Sequence, residues 1–321
     1  MSLRRLLARP GTVMLDGATG TELQRRGIDT RLPLWSARAL TSDEGRRVLA
    51  GIHREYTEAG AEILTTNTFR TTPRALERAG LLQHWTMLNR RAVEAARAGA
   101  GKDGLVAGSL APLEDCYEPD RVPLQETCLR EHLRQADLLA RLGVDLFLVE
   151  TMNCRREARA AILAARSTGL HLLLALCPGA PDRLLSGEPL EDALPRLLDD
   201  GGGRILGVLL NCAPPEVLER AAPLLDRVLG TLPWGLSAHL GHADPEDGWR
   251  LPEEHAPDAY ADWAAARVRE GARLASGCCG TTPAHIARLT ARLGDAPTRP
   301  ENAPGSGPAR AGARPRTAAE S

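Results

Sequence analysis

Cysteine is the residue type in this chain whose spacing most invites chemistry. Two of its seven cysteines are adjacent, Cys278 and Cys279, set between Gly277 and Gly280 in the run SGCCGTT, and a third, Cys212, directly follows Asn211 in LLNCAPPEV. Adjacent cysteines rarely close an unstrained disulfide on each other, whereas two thiolates on a glycine-flanked turn can face one cation. Zinc is the natural choice, because it binds thiolate sulfur tetrahedrally and catalytic sites keep one of the four positions open for water or substrate. Cys212, Cys278 and Cys279 would supply three ligands and leave the fourth position free. Asp16, in LDGATGTEL, and Glu150, in LVETMNC, each end an apolar run. Buried there, a carboxylate must meet backbone amides, a cation or a substrate ammonium. The turn Gly17-Ala18-Thr19-Gly20 also allows Asp16 a helix-capping role; Glu150 fits that role less well. The same turn lacks the lysine and spacing of a phosphate-binding loop.

These residues need elements to bring them together. Short runs rich in Val, Ile and Leu fall at Val13–Asp16, Glu62–Thr66, Leu105–Gly108, Leu146–Glu150, Leu172–Leu176, Leu206–Asn211, Gly235–His239 and Leu274–Gly277. Stretches of helical period separate most of them, at Ser42–Ala59, Pro73–Ala98, Gln125–Leu142, Arg155–Ser167, Pro214–Leu229, Asp258–Glu270 and Pro283–Leu293, with a shorter one at Leu190–Leu198 after the Gly/Pro-rich loop Pro178–Pro189. Strands alternating with helices imply right-handed parallel βαβ units, and eight such strands predict a single (β/α)₈ TIM barrel of the α/β class over residues 1–295. In that fold the chemistry lies where strands reach their carboxyl ends. Asp16, Asn67, Glu150, Cys212, His239, Cys278 and Cys279 all fall on that rim. Strands six and eight are second neighbours, close enough for Cys212 to approach the Cys278-Cys279 pair. The remaining cysteines, Cys116, Cys128, Cys154 and Cys177, are read as small hydrophobes of the interior.

Composition narrows the function classes. Among the 321 residues, 40 Lys and Arg balance 41 Asp and Glu, with no long block of one sign in the barrel, so nothing points to a nucleic-acid partner. No apolar run reaches the roughly 18–20 residues that span a bilayer, and the N-terminus is too poor in apolar residues for a signal peptide. A cytoplasmic protein with reduced thiols is expected. Residues 296–321, a Pro/Gly/Ala/Arg mixture with few large apolar side chains, read as a disordered tail without assigned function.

Taken together, LDGATGTELQRRG, AGAEILTTNTF, LVETMNCRREA, LLNCAPPEV and SGCCGTTPAHI resemble the homocysteine S-methyltransferase family over Leu15 to about Leu289. The resemblance implies a (β/α)₈ enzyme with Zn²⁺ on Cys212, Cys278 and Cys279, in which Asp16 and Glu150 contact the amino group of homocysteine and backbone amides near Gly17, Ala18 and Thr19 suit its carboxylate. Asn67 is placed with them as a substrate contact. The small-molecule partners are then homocysteine and a methyl donor. Coordination to zinc would deprotonate the homocysteine thiol, whose pKa is ordinarily about 8.5, and the enzyme's remaining task is to hold donor and acceptor within about 3–3.5 Å. No general base is obligatory.

The donor is read from length and leaving group. The chain ends soon after the barrel, which leaves no room for folate or cobalamin domains, and LPLWSARAL resembles the branch that uses sulfonium donors. A sulfonium leaves as a neutral thioether, so S-methylmethionine and S-adenosylmethionine lead, with betaine behind them. Two stretches depart from the family: SAHLGHADPEDG carries His239 and His242 where relatives often have Asn and an acid, and GSLAPLEDCYEPD differs from the longer glycine-bearing loop of S-methylmethionine enzymes. The alternatives are a diverged methyltransferase acting on another thiol or a selenol, and a non-catalytic barrel with structural zinc. A zinc hydrolase is disfavoured by the absence of HExxH.

Overall fold

The computed structural model describes residues 1–244, 248–250 and 256–294. Eight parallel strands form one sheet: β1 (Val13–Met14), β2 (Ile63–Thr65), β3 (Leu105–Leu110), β4 (Leu146–Met152), β5 (Leu172–Leu176), β6 (Ile205–Asn211), β7 (Trp234–Ser237) and β8 (Leu274–Ala275). Neighbours in the sheet follow chain order, and β1 pairs with β8 as Val13 with Leu274 and Met14 with Ala275. The ring closes through a single parallel bridge between Leu15 and Ile63, where Glu62 N–H donates to Met14 O at 2.8 Å and Asp16 N–H to Ile63 O at 3.1 Å. A barrel of the expected class results, with β3 and β4 each extending two residues beyond the expected ends.

The strands read as unbroken aliphatic runs because both of their faces are buried. Alternate side chains point inward, among them Leu105 and Ala107, Leu146 and Leu148, Leu173 and Ala175, and Leu209, and they form one cluster inside the barrel. The intervening Val106, Phe147, Val149, Leu172, Leu174, Val208 and Leu210 pack outward against the helices. Since side chains alternate with period two, the inward register continues upward into Thr65, Glu150, Asn211 and Ser237. The same alternation that fills the barrel with aliphatic groups thus delivers polar groups to its top.

Two local elements differ from the sequence reading. Leu3–Leu7 is a short helix whose Leu3 and Leu6 join the interior cluster with Val13 and Leu15; five residues are too few to show a helical period. The Pro178–Pro189 loop contains a two-stranded hairpin, Pro178–Ala180 against Arg183–Leu184. The helices lie close to the expected spans, for example Gln125–Arg141, Arg155–Ser167, Pro215–Leu229 and Pro283–Gly294. No helix among the described residues is long and apolar enough to cross a membrane. The tail expected at 296–321 lies outside the described residues.

Candidate active site

The sulfur atoms of Cys212, Cys278 and Cys279 lie within 4.8 Å of one another, with Cys212 Sγ 2.9 Å from Cys278 Sγ. Their positions follow from backbone geometry at two strand ends. Cys212 adopts φ 56°, a left-handed conformation uncommon outside glycine, at the end of β6. The Gly277–Gly280 turn after β8 is held by Cys278 N–H donating to Ala238 O at 3.0 Å and Leu240 N–H to Cys279 O at 2.7 Å. Cys212 is buried and the other two are half-buried. Hydrogen bonding to Cys278 and burial hold the Cys212 thiol well above its ordinary pKa. Three thiols in such a space resist ionising together unless a cation sits among them.

That donor set fits a thiophilic metal ion. Tetrahedral zinc, with Zn–S bonds of about 2.3 Å, separates its sulfurs by just under 4 Å, a spacing between the 2.9 Å contact and the 4.8 Å outer limit of this trio. No fourth His, Cys, Asp or Glu joins the group among the described residues, so the set corresponds to an open site.

Asp16 and Glu150 stand on the same cleft. Asp16 accepts from Thr65 N–H at 2.7 Å and from Thr65 Oγ1 at 2.8 Å. It caps no helix: the residue before helix Thr19–Arg25 is Ala18, which offers no side-chain bond. Burial pushes the Asp16 carboxyl up to about 7 against the lowering pull of the Thr65 bonds, with the nearby Glu150 adding to the rise. Glu150, likewise raised to about 7 by burial, accepts a hydrogen bond from Ser109 Oγ. The next residue, Thr151, has φ 58° and lies in a register shift between Val149 and Met152, a bulge of the kind that re-aims a side chain beside a site. A buried and a half-buried carboxylate with only neutral partners call for a cation between them.

The β1 turn is stitched to the cysteine turn. Thr281 Oγ1 donates to Cys278 O at 2.8 Å and accepts from Ala18 N–H at 3.2 Å, while Ser276 Oγ donates to Asp16 O at 2.7 Å. A Cβ on Gly17 would lie 2.8 Å from both Thr281 Oγ1 and the Tyr56 hydroxyl, so this close approach requires glycine. The Ala18 amide is therefore committed, leaving Gly17 and Thr19 of the three amides expected to meet a carboxylate. Asn67 is buried and its amide donates to Ser36 O at 2.9 Å. The roles of Thr65, Ser109 and Thr281 carry no signal in the sequence, since a threonine or serine beside a strand end has no distinctive spacing.

The cleft has a volume of about 520 Å³ and is lined by Asp16, Gly17, Ala18, Thr19, Asn67, Glu150 and the three cysteines. Trp35, Phe69, Tyr117 and Trp249 also line it, a concentration in a chain with only five Trp, three Tyr and two Phe. Trp35 and Phe69 meet edge to face at 5.4 Å. His239 is not part of the lining; it packs edge to face on Trp249 at 5.3 Å, and burial lowers its pKa to about 4. His242 is exposed on a hairpin strand paired with Gly248–Arg250. Of the cysteines read as interior groups, Cys128 and Cys154 share one apolar cluster, Cys177 places its thiol 3.6 Å from Cys212 O, and Cys116 lines the cleft.

Comparison with known proteins gives the same picture. The homocysteine S-methyltransferase family model matches residues 13–293. Homocysteine S-methyltransferase of Escherichia coli is 31% identical over 90% of this chain and 98% of its own. Selenocysteine methyltransferase of Astragalus bisulcatus is 27% identical over 84% of this chain and 89% of its own. The crystal structure of the E. coli homocysteine methyltransferase MmuM in its metallated form superposes with a TM-score of 0.76 at 29% identity, covering 90% of this chain and 99% of that one. With the barrel, the converging sulfurs and these matches in hand, the chain belongs to the homocysteine S-methyltransferase family of methyltransferases.

Proposed function

We propose that this protein transfers a methyl group from a sulfonium donor, S-methylmethionine or S-adenosylmethionine, to the thiol of L-homocysteine, giving methionine, with zinc held by Cys212, Cys278 and Cys279. The observation that carries this reading is the meeting of three cysteine sulfurs within 4.8 Å on a cleft that also presents the Asp16 and Glu150 carboxylates. A zinc ion bound there would keep a coordinated thiol in its thiolate form near neutral pH. Asp16 and Glu150 would orient the acceptor by its ammonium, with the Gly17 and Thr19 amides and Asn67 beside its carboxylate end. The homocysteine sulfur forms the new S–CH₃ bond with its lone pair as the donor's C–S bond breaks, and that electron pair leaves on a neutral thioether. The thiol proton is released on binding, so no side chain need take it during transfer. The aromatic wall of Trp35, Phe69, Tyr117 and Trp249 suits a sulfonium better than a neutral donor, because aromatic faces attract cations.

A diverged enzyme acting on a selenol or another thiol is the second reading, supported by similarity to a selenocysteine methyltransferase. A structural-zinc barrel without catalysis is less well supported, since the described residues offer no fourth protein ligand to the trio. With reduced cysteines at the site, the cytoplasm is the compartment proposed. The test is zinc content and methionine formation for freshly reduced wild type and Cys279→Ala. Stoichiometric zinc and turnover, both lost in the variant, are expected. Zinc without turnover from homocysteine would shift the acceptor, and a reduced protein that takes up no zinc would overturn the reading.

A further inference from the structure

Two charged side chains on the cleft have no charged partner among the described residues. Arg70, following β2, and Asp115, in the loop after β3, both line it and are half-buried. Among the described residues neither makes an ion pair, with each other or with anything else, whereas the neighbouring Arg74 and Arg78 are both paired with Glu114. Arg70 spends Nη1 on Glu114 O at 2.9 Å and lies over the Phe69 ring at 5.5 Å. Its Nε is shielded from water and has no acceptor. The Nε and Nη2 edge is the one with which Arg25, Arg31 and Arg74 each grip a carboxylate side-on; in Arg70 no acceptor meets it among the described residues. Asp115 uses Oδ1 to accept from Tyr117 N–H at 2.9 Å, which closes its turn and leaves Oδ2 without a described donor. Arg70 bonds the carbonyl of Glu114, the residue before Asp115, which places the two groups around one spot of the wall.

A guanidinium and a carboxylate that flank a cleft without pairing complement a zwitterion. We propose that Arg70 and Asp115 receive the α-amino acid head of the sulfonium donor, Arg70 taking the carboxylate and Asp115 the ammonium. This rests on the methyl-transfer reading. The acceptor's ammonium belongs with Asp16 and Glu150, so the second head group is the donor's. A carboxylate meeting the Nη2 side of Arg70 would give this guanidinium the anionic partner that Arg74 and Arg78 already have in Glu114. A sulfonium without an α-ammonium, such as dimethylsulfoniopropionate, leaves Asp115 facing nothing, and specificity follows from that unpaired charge.

The test uses zinc-loaded protein with homocysteine and compares S-methylmethionine with dimethylsulfoniopropionate, which keeps the sulfonium and carboxylate but has no ammonium. Asp115→Asn raises KM for S-methylmethionine on the order of tenfold, kcat nearly unchanged, and leaves KM for dimethylsulfoniopropionate where it was. Arg70→Met raises KM for both donors on the order of 10- to 100-fold, and Arg70→Lys, which keeps the charge without the fork, recovers part of the loss. Unaltered S-methylmethionine KM in both Arg70→Met and Asp115→Asn, or equal loss of both donors in Asp115→Asn, overturns the proposal. Calorimetric binding of S-methylmethionine without homocysteine separates the two layers: binding that depends on Arg70 and Asp115 in a protein without turnover supports the receptor while the methyl-transfer reading falls, and binding indifferent to both residues sinks the receptor.

Discussion

Thr65 holds the Asp16 carboxylate with two hydrogen bonds, one from its backbone N–H at 2.7 Å and one from its hydroxyl at 2.8 Å. The bonds tie the end of β2 to the turn after β1 at the edge where the barrel closes through only one bridge. They also oppose the rise in the Asp16 pKa that burial imposes. Thr65→Val removes the hydroxyl bond and keeps the backbone one. A hydrogen bond to a charged group contributes about 1.5–3 kcal/mol, so kcat/KM for homocysteine falls roughly 10- to 100-fold in steady-state assays, while a KM unchanged from wild type would remove Thr65 from the binding machinery.

As the proposed ammonium site, Asp16 and Glu150 should make acceptor binding depend on pH. Both carboxyls are raised to about 7 in the free protein, so below that value an incoming ammonium finds them protonated. A thiol-free probe isolates the effect: L-norleucine binding should tighten about fivefold or more from pH 6 to pH 8. Calorimetry giving the same affinity across that range would separate the two carboxylates from ammonium binding.

The same shift has a cost in stability. A folded-state pKa above the unfolded one means that the native state binds the extra proton, so the contribution of Glu150 is fully present below about pH 4.5 and is lost as pH rises through about 7. Thermal melts of the metal-free protein should place Glu150→Gln level with or below wild type at pH 5 and above it at pH 8, while homocysteine turnover is lost in the variant. A variant less stable than wild type at both pH values would contradict the assignment of burial as the dominant cause.

Metal removal should cost activity without unfolding the barrel. The three sulfurs sit on the rim, above the Leu148, Leu173, Ala175 and Leu209 layer that fills the interior. A chelator is expected to strip about one equivalent of zinc per chain, lower Tm by a few degrees, and leave the far-ultraviolet circular dichroism unchanged, since a metal held by these sulfurs would organise two turns and not the core. Loss of helical signal on chelation would instead make the metal structural.

Thr281→Ala tests the stitch between the β1 and cysteine turns. Its hydroxyl bonds both Cys278 O and Ala18 N–H and is fully buried, so its loss leaves the Ala18 N–H without a partner, at about 1–3 kcal/mol, while Cys278 O keeps the Thr281 backbone N–H at 3.0 Å. Competition with a chromogenic chelator should show zinc affinity lowered about tenfold or more although every sulfur remains, whereas unchanged affinity would make the stitch irrelevant to the metal site.

The amino-acid sequence by itself determined the barrel and the cysteine trio's place in it. Strands buried on both faces need aliphatic side chains at every position, and helices packed on one side need them at helical spacing, so the alternation of the two patterns is visible without coordinates. Cys212, Cys278 and Cys279 stand out because turn residues flank them at strand ends. Tertiary structure alone decided what those residues touch. Thr65 reaches Asp16 across 49 positions of chain, and Thr281 reaches Ala18 across 263; such contacts depend on how the ring closes, which no local pattern encodes. Whether an arginine is paired is also a question of space: Arg70 and Arg74 are four residues apart, and only the fold turns one toward Glu114 and Glu131 and the other, without a carboxylate, toward the cleft. Periodicity reports which side of an element is buried, and the partner found there is set by elements far away in the chain.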